Sequence, residues 1–73
     1  MNKKIDVVQR KFVFIKPYKN LKVGDILTIT MGAIYFNGGL LSPVYQVEFR
    51  KLIEKELVKP NYLKELPLIK NEF

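Results

Sequence analysis

A chain of 73 residues has room for one domain, and 48% hydrophobic with 27% charged residues is too apolar for a disordered chain. The absence of cysteine and histidine excludes disulfides, thiolate or imidazole metal sites and most acid–base and nucleophilic devices. The net charge of +6 is confined to residues 1–22, where seven basic residues face Asp6 alone, while residues 23–73 are balanced.

A strand is predicted from Arg10 to Tyr18. Phe12-Val13-Phe14-Ile15 is a continuous β-favouring run, and Pro17 closes it. Because both faces of the run are apolar, the strand is expected to be buried on both sides or curled within a barrel. Ile5, Val7 and Val8 extend it or form a separate edge segment. Residues 19–25 read as a turn: Asn20, Gly24 and Asp25 supply its chemistry, and Leu21 and Val23 are expected to pin it to the core.

Ile26 to Met31 alternates, with Leu27, Ile29 and Met31 on one face and Thr28 and Thr30 on the other. Gly32 has no polar turn residues beside it, so the spacing predicts a bulge or bend within a strand that resumes at Ala33-Ile34-Tyr35-Phe36. Asn37-Gly38-Gly39 predicts a hairpin before Leu40-Leu41.

Ser42-Pro43 opens a helix over about 43–58 (Ser as N-cap, Pro at the first helical position), and Pro60 ends it. Tyr45, Phe49, Leu52, Ile53 and Leu57 form its apolar face. Gln46, Arg50, Lys51, Glu54 and Lys55 fill the opposite face, with Arg50 and Glu54 spaced for an ion pair. Tyr62 to Leu66 reads as a short closing strand, and a helical turn is the alternative. Residues 1–66 then make one α+β domain, a small antiparallel sheet or a partly closed Src-homology-3-like barrel with one amphipathic helix. A three-stranded sheet with the helix across one face, close to a winged-helix wing, is the other arrangement.

The tail, residues 67–73, places Leu68, Ile69 and Phe73 among six residues after Pro67, and is expected to lie on its own domain or dock on a neighbour. Deleting it should abolish assembly and leave the fold intact. A domain this small buries only about 60% of its unfolded surface, and small scaffolds lean on staples or partners. With no disulfide or metal, a protein partner in an assembly is the expectation, and Tyr35, Tyr45, Tyr62 and Phe73 are amphipathic anchors suited to one.

No catalytic, cofactor or metal residue is expected. Ser42 is the only serine and its capping role accounts for it, the carboxylates lack the spacing of a catalytic pair or a calcium loop, and Asn37-Gly38-Gly39 lacks the Lys-Ser/Thr ending of a phosphate loop. The basic third predicts contact with an anionic partner through Arg10, Lys11, Lys16, Lys19 and Lys22, nucleic acid being the alternative to protein. Lysines also protect strand edges from unwanted pairing, which is the plainer explanation. Phe12 and Phe14 share a strand face between cations, an arrangement that stacks bases when exposed; in so small a domain, burial in the core is the stronger expectation. The pair is similar to the aromatic strand of RNA-recognition motifs, which carry glycines where this chain has Val13. A recognition helix reading with Gln46, Arg50 and Lys51 is disfavoured by Glu48, Glu54 and Glu56, so that face is read as solvated.

No apolar run approaches the roughly 20 residues of a membrane span, and Asp6, Gln9, Arg10 and Lys11 interrupt any signal-peptide core, so a secreted location is not expected. The basic-aromatic strand, the Leu21-Lys22-Val23-Gly24-Asp25 turn, the helix with Phe49-Arg50-Lys51-Leu52-Ile53-Glu54-Lys55 and the strand Tyr62-Leu63-Lys64-Glu65-Leu66 together resemble small accessory proteins of tailed bacteriophages. The resemblance covers Phe12 to Leu66. It implies a non-enzymatic, capsid-associated virion protein or host-takeover factor, in the virion or the cytoplasm of an infected bacterial cell, with no catalytic residues to carry over.

Overall fold

The computed structural model describes residues 9–67. Strands β1 (Gln9–Phe14), β2 (Ile26–Thr30), β3 (Ala33–Phe36) and β4 (Gly39–Leu40) precede helix α1 (Pro43–Val58), and β5 (Leu63–Glu65) follows it. All neighbouring strands are antiparallel, in the order β4-β3-β2-β1-β5. β1 to β4 form a meander, and β5 returns to the outer side of β1. The two edges are only two and three residues long and do not pair with each other. The antiparallel sheet with one helix is therefore the fold, and the partly closed barrel is not formed. Since β4 and β5 lie at opposite edges, α1 must cross the strands. Sixteen residues rise about 24 Å, enough to span the roughly 19 Å between the outer strands of a five-stranded sheet.

Two hairpin turns set the register. Asn37 and Gly38 both have positive φ, 48° and 91°, between the paired Phe36 and Gly39, as a tight two-residue hairpin requires. Gly32 is a second such turn and not the bend expected within a continuing strand. Met31 (φ 51°) and Gly32 (φ 83°) link the paired Thr30 and Ala33. A glycine at the second position suffices because it takes the left-handed conformation at no steric cost, while Met31 bears the strain.

The strand alternation sends Phe12, Phe14, Leu27, Ile34 and Leu63 to the helix side, where they form the core with Phe49, Leu52 and Ile53. Phe12 and Phe14 are thus core residues and stack no base. The opposite face of β1 is not buried: Val13 is half-buried and Ile15, just beyond the strand, is exposed, because among the described residues the sheet is covered on one side only. In the 19–25 turn, Asp25 Oδ2 accepts the Lys22 backbone N–H at 2.8 Å, and Leu21 packs against the core. Val23 does not pin the loop and is exposed.

The buried face of α1 is rotated from its apolar stripe. Phe49, Leu52, Ile53 and Glu56 are buried, while Tyr45 and Leu57 are about half exposed. Gln46, expected on the solvated face, pairs with the edge of β3. Its Oε1 accepts the Ile34 N–H at 2.9 Å, and its Nε2 donates to Ile34 O at 2.7 Å and Leu41 O at 3.1 Å. The Gln46 amide continues the ladder where β4 stops. Arg50 donates to Gly32 O at 2.7 Å, anchoring the helix to the β2–β3 turn in place of the expected pair with Glu54. Ser42 is the N-cap residue and its carbonyl accepts the Gln46 N–H, but its hydroxyl makes no capping bond.

Glu56, also expected on the solvated face, is 5% exposed. Its Oε1 accepts the backbone N–H groups of Asn61, Tyr62 and Leu63 at 2.7, 2.7 and 3.0 Å. Burial alone would raise its pKa, but these three donors outweigh burial and hold it below the ordinary carboxylate range. One carboxylate thereby organises the turn from the end of α1 into β5.

Candidate functional site

Beyond Phe14 the chain leaves β1 and folds back at Tyr18–Leu21, where both backbone pairs close (Tyr18 N to Leu21 O, 3.2 Å; Leu21 N to Tyr18 O, 2.8 Å) and Lys19 takes φ 54°. Tyr18 is fixed by stacking on Phe14, centroids 5.9 Å apart, and by an edge contact with Tyr62 at 5.1 Å. This turn stands beside the first half of α1. Between them lies an open cleft of about 410 Å³, lined by Tyr18, Leu21, Phe36, Leu41, Tyr45 and Phe49. Its walls are mostly aromatic and aliphatic.

Lys19 Nζ meets Glu48 Oε2 at 2.9 Å and bridges turn to helix. That contact and the carboxylate charge raise the Lys19 pKa. A second hollow of about 520 Å³ shares Tyr18, Lys19 and Glu48 and is walled by Val44, Val47, Lys51, Leu52 and Lys55. The two hollows make one groove along α1, divided by the ion pair. Val44 and Val47 are 73% and 56% exposed at its rim. Lys19, Lys51 and Lys55 face Glu48 alone among the charged groups lining it.

The five basic residues expected to meet an anion have separate fates. Arg10 binds Glu65 through two hydrogen bonds of 2.7 Å, and its guanidinium lies 5.4 Å from the Phe12 ring centroid. The paired hydrogen bonds raise the Arg10 pKa and lower that of Glu65. Lys19 is committed to Glu48 and lines the groove, Lys16 donates to Asn61 Oδ1 at 3.2 Å, and Lys22 is exposed in the 19–25 turn. Lys11 alone lies on the sheet face away from the helix, opposite Thr28. Leu68, Ile69 and Phe73, expected to dock, lie outside the described residues, as do Ile5, Val7 and Val8.

The groove was not legible as a site in the sequence. The helical spacing places Tyr45 on the core face and Val44 and Val47 on neither face. A signal was present: Val44, Tyr45 and Val47 lie at helix angles too far apart to share the narrow face that Phe49, Leu52 and Ile53 turn to the sheet. No helix among the described residues is long and apolar enough to cross a membrane. Nor do the described residues hold a cluster of three carboxylates suited to a metal ion. No protein-family model matches the chain, and neither a curated protein nor a solved structure matches it.

Proposed function

We propose that this chain is a non-enzymatic interaction module that captures an apolar, acidic segment of a protein partner in the groove between the Tyr18–Leu21 turn and helix α1. The observation that carries this reading is the groove itself: aromatic and aliphatic walls, two exposed valines on its rim, and three lysines against one carboxylate. Apolar groups leaving water drive such association, and charge selects the partner and its direction. Val44 and Val47 line the groove together with Leu52, so an apolar side chain of a partner seated there would cover them. The reading agrees with a component of a larger assembly of the kind the phage resemblance implies.

Selection from a random displayed peptide library tests it. Peptides combining Asp or Glu with large apolar residues should be enriched, and their binding should fall at least tenfold on Val47→Asp or Lys51→Glu. Enrichment of peptides without acidic residues, or binding indifferent to both variants, would overturn the assignment.

A further inference from the structure

The second face of the sheet, away from α1, carries a different chemistry. Strand alternation places Gln9, Lys11, Val13, Ile26, Thr28, Thr30, Tyr35, Leu40 and Lys64 on it, and the register aligns four of them in one row across the strands. Leu40 pairs with Tyr35, Tyr35 with Thr28, and Thr28 with Lys11. Lys64 pairs with Val13, two residues along β1 from Lys11, so the two lysines are diagonal neighbours. Among the described residues this face has no carboxylate. Glu65 is in register with the buried Phe12 and points to the helix side, where Arg10 neutralises it. Asp25 is engaged at the end of the sheet by Lys22 N–H and Asn37.

We infer that this face binds single-stranded RNA, with Tyr35 stacking a base and Lys11 and Lys64 holding phosphates. The inference is independent of the groove, which lies on the other side of the sheet. Tyr35 is half-buried, held between the Thr28 and Leu40 strands, and lines a shallow hollow of about 680 Å³ with Gln9, Lys11, Thr28, Thr30 and Asn37. Tyr35 and Lys11 stand two strands apart, about 10 Å, a reach suited to a base and a neighbouring phosphate of one extended strand. An aromatic side chain on an antiparallel sheet binds unpaired bases by their π faces, which a duplex does not offer. The choice of RNA rests on the β2 hydroxyls beside these contacts: Thr28 stands between Tyr35 and Lys11, and Thr30 lies two residues along the same strand. Thr28 and Thr30 share the face, Gln9 Nε2 donates to Thr30 Oγ1 at 3.3 Å, and the Thr28 hydroxyl makes no hydrogen bond among the described residues. A ribose 2′-hydroxyl can both donate to and accept from such groups.

Fluorescence anisotropy of the full chain with labelled oligo(U), oligo(dU) and double-stranded RNA provides the test. Oligo(U) should bind most tightly, with a log–log salt slope of about −1.4 for two phosphates on a single strand. Tyr35→Thr, which keeps a strand-favouring residue, should weaken binding about fivefold or more, and Tyr35→Phe should keep it. Lys11→Glu with Lys64→Glu, both exposed, should remove the salt dependence and most of the affinity, and carries the test if Tyr35→Thr does not fold. Val58→Ala, at an exposed position outside both the groove and this face, should leave oligo(U) binding unchanged. Equal affinity for oligo(dU) would overturn the assignment to RNA. Absence of oligo(U) binding, preference for the duplex, or indifference to both the Tyr35→Thr and the lysine variants would overturn the site.

Discussion

At the residue scale, two positions carry local conflicts with measurable consequences. Met31 is 84% exposed and has φ 51°, so its side chain gains no packing in return for left-handed geometry. Met31→Asn gives this turn the Asn-Gly pair already present at Asn37-Gly38, and should stabilise the protein by about 0.5–1 kcal/mol in urea denaturation. Glu56 is the opposite case, a charge whose burial is compensated by three backbone donors. Glu56→Leu would strand those N–H groups, and a loss of at least about 2 kcal/mol is expected. Because the folded pKa of Glu56 is depressed, its stabilisation is complete above the unfolded value of about 4.3 and is lost as pH falls through the lower folded value. Stability measured from pH 6 down to pH 2 should fall less steeply in Glu56→Gln than in the parent chain. Glu65 has the same sign through its pair with Arg10, but both side chains are over a third exposed. A double-mutant cycle on that pair should give only about 0.5–1 kcal/mol, diminishing with salt.

At the element scale, α1 shows how position along a helix and orientation around it are decided separately. Its ends were legible: Pro43 is preorganised for the first turn, and Pro60 disfavours helical geometry at Lys59, so the predicted 43–58 is the observed span. Its rotation was not. The apolar stripe alone would bury Tyr45 and Leu57, yet Gln46 and Glu56 turn inward because the short edge strands leave backbone groups that only side chains can satisfy. Gln46→Leu should therefore cost about 1–3 kcal/mol although it replaces a polar residue with an apolar one on a core-facing helix. A peptide of residues 42–59 should show little helicity by circular dichroism in water. Sixteen residues are marginal for nucleation, and the stabilising contacts of Gln46, Arg50 and Glu56 all lie outside the helix.

At the scale of the whole molecule, a chain of this length holds a net stability of about 4–11 kcal/mol, so the small core is sensitive. Phe14 is fully buried and also supports Tyr18 at the wall of the groove. Phe14→Ala should cost about 3–5 kcal/mol, leaving a large unfolded fraction at room temperature. The sequence by itself determined the helix and its ends, the strand character of Phe12–Phe14, Ile26–Thr30 and Ala33–Phe36, and the Asn37-Gly38 turn, because these follow from local sterics and residue propensity; that only one side of β1 is buried was not among them. Only the tertiary structure decided that the sheet stays open, that Met31-Gly32 is a hairpin turn, which way α1 faces, and how the first-third lysines are dispersed. Those outcomes depend on which backbone groups remain unpaired and which carboxylates come within reach once β5 closes against β1. Contacts such as Arg10 with Glu65, 55 positions apart along the chain, have no local signature.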